Sequence, residues 1–164
     1  MSEPLAAFSP YLAGRHQVLL AVAAEVLRHL DAADRPRASD LMWLWTLGAY
    51  EVTRTMCQAH ACFSPQFYRP LADLKHALER VRVPSTKMER IQVDRRASPV
   101  PIPSDRPADL WDPATRDLRV GDPADPQSAR RLLADYTRVL GSLTAADVLR
   151  RHEDAFTAVI ASRG

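Results

Sequence analysis

The segment Leu41 to His60 constrains the fold more than any other stretch of the chain. It opens as an almost unbroken apolar run, Leu41-Met42-Trp43-Leu44-Trp45-Thr46-Leu47-Gly48-Ala49-Tyr50, and then turns polar through Glu51, Arg54, Gln58 and His60. A helix that is apolar all round belongs inside other structure. The segment therefore reads as the central rod of a helical bundle, with Trp43 and Trp45 enclosed. Met42, Trp45, Ala49, Val52, Met56 and Ala59 share one face of it, and Leu44, Leu47 and Gly48 another. A glycine within a helix costs about 1 kcal/mol relative to alanine, so Gly48 points to a second helix crossing close by.

Amphipathic segments flank this rod. Leu19, Val22, Val26 and Leu30 recur at spacings of three and four within a helix expected over Tyr11 to Ala32. Asp31 to Pro36 is a polar break, after which Ser39 or Asp40 is a candidate cap for the second helix. Phe67, Leu71, Leu74, Leu78 and Val81 mark a third helix from Gln66 to Val83. Pro70 is expected in its first turn, so that regular helix starts near Arg69, and Pro84 should end it. Thr86-Lys87-Met88-Glu89 has the form of a capping box and predicts a short helical turn.

The stretch from Ile91 to Pro126 differs in kind. Seven of the thirteen prolines lie between Pro99 and Pro126. Alternation at Ile91-Gln92-Val93 and at Leu118-Arg119-Val120 predicts short strands, and Gly121-Asp122-Pro123 a turn. Trp111, in the middle, is the residue expected to pin this excursion to the helices. A fourth helix follows over Gln127 to Leu140, with Leu132, Leu133, Tyr136, Val139 and Leu140 inward and Gly141 as a left-handed end. Thr144 to Asp147 then caps a last helix carrying Val148, Leu149, Ala155, Phe156, Val159 and Ile160, with His152 at its core edge. The expectation is one all-α domain over residues 1–164. Its four or five helices form a mostly antiparallel bundle, with a proline-rich irregular excursion, about 91–126, before the last two and a small β-hairpin within it.

Composition narrows the function classes. Hydrophobic residues are 46% and charged residues 26% of the chain, which is ordinary for a globular protein. A net charge of +2 is too mild for a concentrated nucleic-acid-binding face. Cys57 and Cys62 point about 140° apart on a helix, so they are read as two free thiols in a reducing, cytoplasmic setting. The apolar stretch Val18 to Ala24 has no basic region before it and is not read as a secretion signal. No run approaches the ~20 apolar residues of a membrane span, so no membrane partner is expected.

Three constellations are candidate sites. Arg54 and His60 pair an always-charged anion clamp with a residue that exchanges protons near neutral pH. Their spacing is similar to the arginine-to-histidine motif of the HEPN ribonucleases, which are small all-helical bundles. That resemblance implies that Arg54 steadies a phosphate, that His60 helps proton transfer at a 2′-hydroxyl, and that the substrate is RNA. Arg69 and His76 are a second pair of this kind, and on an ideal helix Arg54 and His60 point about 120° apart.

The second constellation is a small-ligand pocket near Trp45, Tyr50, Glu51 and Arg54, where the apolar rod turns hydrophilic. The third is an anion site at Arg80, Arg82 and Lys87, diluted by Glu79 and Glu89. Cys57-x-x-His60-x-Cys62 does not converge on a helix and has no further ligand pair beside it, so no metal is expected. No glycine-rich phosphate loop or nucleophile elbow is present, so no cofactor is expected. The leading reading is a non-catalytic interaction or accessory protein that pairs with itself or with another protein. RNA cleavage by Arg54 and His60 is the first alternative and the small-ligand pocket the second.

Overall fold

The computed structural model describes residues 2–90, 98–103 and 109–154. The chain is mostly helical, with two small antiparallel sheets. The helical class expected from the sequence holds in the main, and the β component is two small sheets where one small hairpin was expected. The helices are α1 (Glu3–Phe8), α2 (Pro10–Asp31), α3 (Arg35–Gln58), α4 (Pro65–Lys87) and α5 (Ala129–Gly141), with 3-10 turns at His60–Cys62 and Ala145–Asp147.

Helix α1 was not legible from periodicity, because six residues are too few to show a repeat. Its Leu5 and Phe8 are buried, and the Phe8 ring lies 4.5 Å from that of Phe63. Ser9 then caps α2 by accepting from the Leu12 N–H, and Pro10 takes a first-turn position where no donor is needed. Helix α3 begins earlier than Ser39 and Asp40 suggested. Asp34 is the cap, accepting from the Arg37 N–H, and Pro36 sits harmlessly in the first turn.

Both prolines of α4 depart from expectation. Ser64 caps the helix and accepts from the Phe67 N–H at 3.2 Å, so α4 starts at Pro65 and Pro70 lies beyond its first turn. Pro84 does not end the helix, which runs on to Lys87. The physical reason is burial: Leu78, Val81 and Pro84 recur every three residues on one covered seam, and packing there outweighs one missing hydrogen bond. Met88 then takes a left-handed conformation (φ 54°) and the chain enters a strand. The helical turn expected at Thr86 to Glu89 is therefore absent.

Strand β1 (Glu89–Arg90) pairs with β2 (Val100–Pro101). Strands β3 (Leu110–Asp112), β4 (Asp117–Val120) and β5 (Gln127–Ser128) form the second sheet in that order. Leu118 and Val120 turn inward, as their alternation predicts. Trp111 pins the excursion from β3: it packs against the core, and the Arg35 guanidinium lies 5.1 Å over its ring. The strand expected at Ile91 to Val93 lies outside the described residues.

The inward positions of α5 are all buried, but Gly141 is an ordinary last helical residue, not a left-handed one. Thr144 and Asp147 do form a capping box, around a 3-10 turn. The chain then extends, with Val148 bridging Phe63 and the Leu149 N–H donating to the Cys62 carbonyl at 2.8 Å. Helical structure resumes at 152–154, where His152 meets the Phe8 ring edge-on at 5.3 Å. Ala155, Phe156, Val159 and Ile160 lie outside the described residues.

Helix α3 packs against both α2 and α4, and one continuous apolar cluster includes residues of all five helices and of β4. A Cβ built on Gly48 would fall 2.7 Å from Leu19 Cδ2, so this glycine does mark the close approach of α2. The rod is not enclosed on every side, however. Trp45 is fully buried, whereas Trp43 is 46% and Leu44 55% exposed. No helix among the described residues is long and apolar enough to cross a membrane.

Candidate functional site

The outward side of α3 opens onto a groove of about 510 Å³. Its lining includes Trp43, Leu44 and Leu47 of α3, Val81 and Arg82 of α4, and Met88 and Val120. Helical geometry explains the α3 residues. Positions 43, 44 and 47 are neighbours on one face, rotated away from the buried stripe of Met42, Trp45, Ala49 and Val52. The lining includes charges of both signs. Asp40 and Asp109 are both lining residues, and Asp109 accepts from the Ser39 hydroxyl. On the α4 side lies Arg82, with its guanidinium 4.6 Å over the Tyr50 ring.

A second, more polar groove of about 480 Å³ runs between α3 and α4. Tyr50, Arg54, Cys57, Tyr68, Lys75 and His76 are among its lining residues. Arg54 donates to the Glu51 carboxylate at 2.7 Å, an exposed three-apart ion pair. Lys75 and His76 both approach Glu79, at 3.5 Å each. Burial pushes the Cys57 thiol up to about 11, against a smaller opposing pull from Lys75. At neutral pH that thiol is protonated and a poor nucleophile.

The residues of the ribonuclease-like motif are placed apart in kind. Arg54 lines the polar groove, as does His76. His60 stands on the 3-10 turn after α3 with its ring 6.0 Å from that of Tyr68, and it is not among the groove residues. The small-ligand constellation divides likewise. Tyr50 and Arg54 share the polar groove, Glu51 pairs with Arg54 outside it, and Trp45 lies in the core with its ring edge-on to Tyr136 at 5.4 Å. The basic trio also divides. Arg80 pairs with Asp125, Arg82 covers Tyr50, and Lys87 is exposed at the end of α4.

The two cysteines are free. Cys62 is buried and donates towards the Arg151 carbonyl, 3.7 Å away. Among the described residues no three His, Cys, Asp or Glu side chains converge as metal ligands would.

Two features escaped the sequence reading. One is the apolar groove itself: Leu44, Leu47 and the two tryptophans suggest more apolar surface than one neighbouring layer needs, but not which of them stay uncovered. The signal lay in the register: Trp43 and Leu44 fall off the stripe that contains Trp45. The other is a polar pair in the core. His16 Nδ1 lies 3.2 Å from Tyr136 Oη, and both residues are buried. Leu12, His16 and Leu19 follow four-three spacing, so His16 was readable as an inward position. Its partner, 120 residues away, was not.

No protein-family model matches the chain, and comparison with curated proteins and with solved structures finds no match.

Proposed function

We propose that this protein is a non-catalytic interaction protein, built on a helical bundle, that binds a protein partner through the groove beside Trp43. One observation carries the reading. Within a single helix Trp45 is fully buried while Trp43 and Leu44 stand exposed at the mouth of a 510 Å³ apolar groove. Large exposed apolar side chains gathered at a concave surface with a polar rim are typical of recognition sites. Two free thiols agree with a cytoplasmic setting. The RNA-cleaving and small-ligand readings draw less support, because Arg54 is engaged by Glu51 and His60 turns to Tyr68.

The test separates binding from folding. Trp43→Ala and Leu44→Asp should each cost about 1 kcal/mol of stability or less, as surface changes do. Trp45→Ala should cost about 3–5 kcal/mol, as emptying a core site does. Urea denaturation measures both. The two surface variants should also lose the complex that the wild type forms in light scattering, with itself or with another protein. A complex that survives both substitutions, or a wild type that forms none, overturns the reading.

A further inference from the structure

We infer that the polar groove between α3 and α4 binds a small phosphate monoester, with Arg54, Lys75 and His76 taking the phosphoryl group. Trp45 and Glu51 do not line this groove, so it is a different site from the pocket that the sequence suggested. It is also independent of the interaction surface beside Trp43.

Two helix faces build the site. Tyr50, Arg54 and Cys57 recur at spacings of four and three on α3, and Ala72, Lys75 and Glu79 at three and four on α4, so each set shares one side of its helix. Contacts between the helices fix how these faces meet. Arg82 lies over the Tyr50 ring, Lys75 is the nearby charge that acts on the Cys57 thiol, and Tyr68 stands beside His60. Rising numbers on α3 thus meet falling numbers on α4. Arg54, between Tyr50 and Cys57, falls level with the part of α4 that carries Lys75, His76 and Glu79.

The donors gathered there are not used up within the chain. Arg54 has several N–H donors, and among the described residues it gives one bond, to Glu51. Lys75 is only 19% exposed, and its ammonium approaches Glu79 at 3.5 Å. His76 approaches the same carboxylate, also at 3.5 Å. Glu79 is the one carboxylate among the residues lining the groove, and two bases share it at long range. A carboxylate ligand would offer two acceptor oxygens to these donors. A phosphoryl group offers three and a larger charge, which suits cationic side chains arriving from two helices. At about 480 Å³ the groove has the size of a small-molecule site. Tyr68 and Gln58 also line it and bring a hydroxyl and an amide for the organic part of the ester.

Calorimetric titration of the full chain at low ionic strength tests this, with phenyl phosphate as the probe and benzoate as the comparison. Phenyl phosphate should bind, and benzoate about tenfold more weakly or less. Arg54→Gln and Lys75→Gln should each weaken phenyl phosphate by about tenfold, since each removes charge-assisted hydrogen bonds. Lys87→Gln, at the exposed end of α4, should leave the affinity unchanged. Cys57 is a second reporter: phenyl phosphate should slow its alkylation, read by peptide mass mapping. Melting temperatures near that of the wild type establish that the variants are folded. Arg54 is exposed, so Arg54→Gln carries the test should Lys75→Gln fail that check.

A wild type that binds no phenyl phosphate at millimolar concentration overturns the inference, as does benzoate binding equally well. So does an affinity that a folded Arg54→Gln or Lys75→Gln variant leaves unchanged, or that Lys87→Gln lowers as much. Alkylation of Cys57 that ignores the ligand also counts against the site. A short RNA that binds through Arg54 where phenyl phosphate does not would overturn the small-molecule class. Trp43→Ala should bind phenyl phosphate as the wild type does, so failure of this site and failure of the interaction surface are read separately.

Discussion

The contact between His16 and Tyr136 shows how a single buried titratable residue couples this fold to pH. Burial disfavours the imidazolium, so the His16 pKa lies below its ordinary value of 6.5, and desolvation likewise raises that of the Tyr136 hydroxyl. Both are neutral at pH 7 and share one hydrogen bond of 3.2 Å. For histidine with a folded pKa below the unfolded one, the unfolded chain takes up the proton first. Stability is therefore full above about pH 6.5 and falls as the pH drops through that value, with a slope of at most about 1.4 kcal/mol per pH unit. Urea midpoints measured between pH 7.5 and 5.5 should decline for the wild type, and the decline should be smaller in His16→Gln. Equal slopes in the two proteins would sink this account. The same core also holds Trp45, whose Nε1–H has no hydrogen-bond partner among the described residues. Its edge-on packing with Tyr136 and its full burial offset that cost.

At the scale of elements, Pro84 and Gly121 form one device. Proline has no N–H, so the Arg80 carbonyl, four residues earlier, lacks its usual helical donor. Gly121, in the turn after β4, lies against that carbonyl: a Cβ at position 121 would fall 3.1 Å from Arg80 O and 3.3 Å from Val81 Cα. Its φ of +94° is also one that side-chain-bearing residues rarely adopt. Gly121→Ala should thus combine backbone strain with a clash against atoms that cannot rotate away, and cost about 1–3 kcal/mol. Chemical denaturation checks this, and an unchanged midpoint would show that the turn moves freely off α4. Such devices explain the limits of reading elements from the chain. The buried stripes of α2 to α5 are visible because the spacing is local. The persistence of α4 through Pro84 is not, since it depends on what packs against that seam from distant segments. Helix α1 fails for a simpler reason, since six residues are too few to display a period, and the early cap at Asp34 fails because the first turn of α3, Arg35 to Arg37, is exposed and carries no apolar stripe.

For the whole molecule, the proline-rich excursion is integrated with the helices, and Asp117 is the residue that integrates it. Its carboxylate is buried, accepting from the Ser128 hydroxyl at 2.5 Å and from the backbone N–H groups of Leu118 and Arg130 at 2.9 and 3.1 Å. Ser128 is itself the cap of α5 and accepts from the Arg131 N–H. One carboxylate thus holds β4 to β5 and satisfies the start of α5, and Val120 of the same strand lines the groove. None of this was legible in the sequence, where Asp117 is one of many acidic residues in an irregular stretch. The groove was hidden for the same reason, because its walls come from α3, the far end of α4 and β4, which only the fold brings together. Removing the carboxylate leaves buried donors without an acceptor, each an expensive loss. Asp117→Ala should therefore destabilise the protein by about 2–4 kcal/mol. Asp117→Asn should recover part of that, since its amide oxygen still accepts. The loss should be spread across elements: amide hydrogen exchange should rise in β4 and α5 together, because the two share the acceptor. Faster exchange confined to β4, with α5 as protected as in the wild type, would mean that the sheet is an appendage and that Ser128 alone holds the helix start.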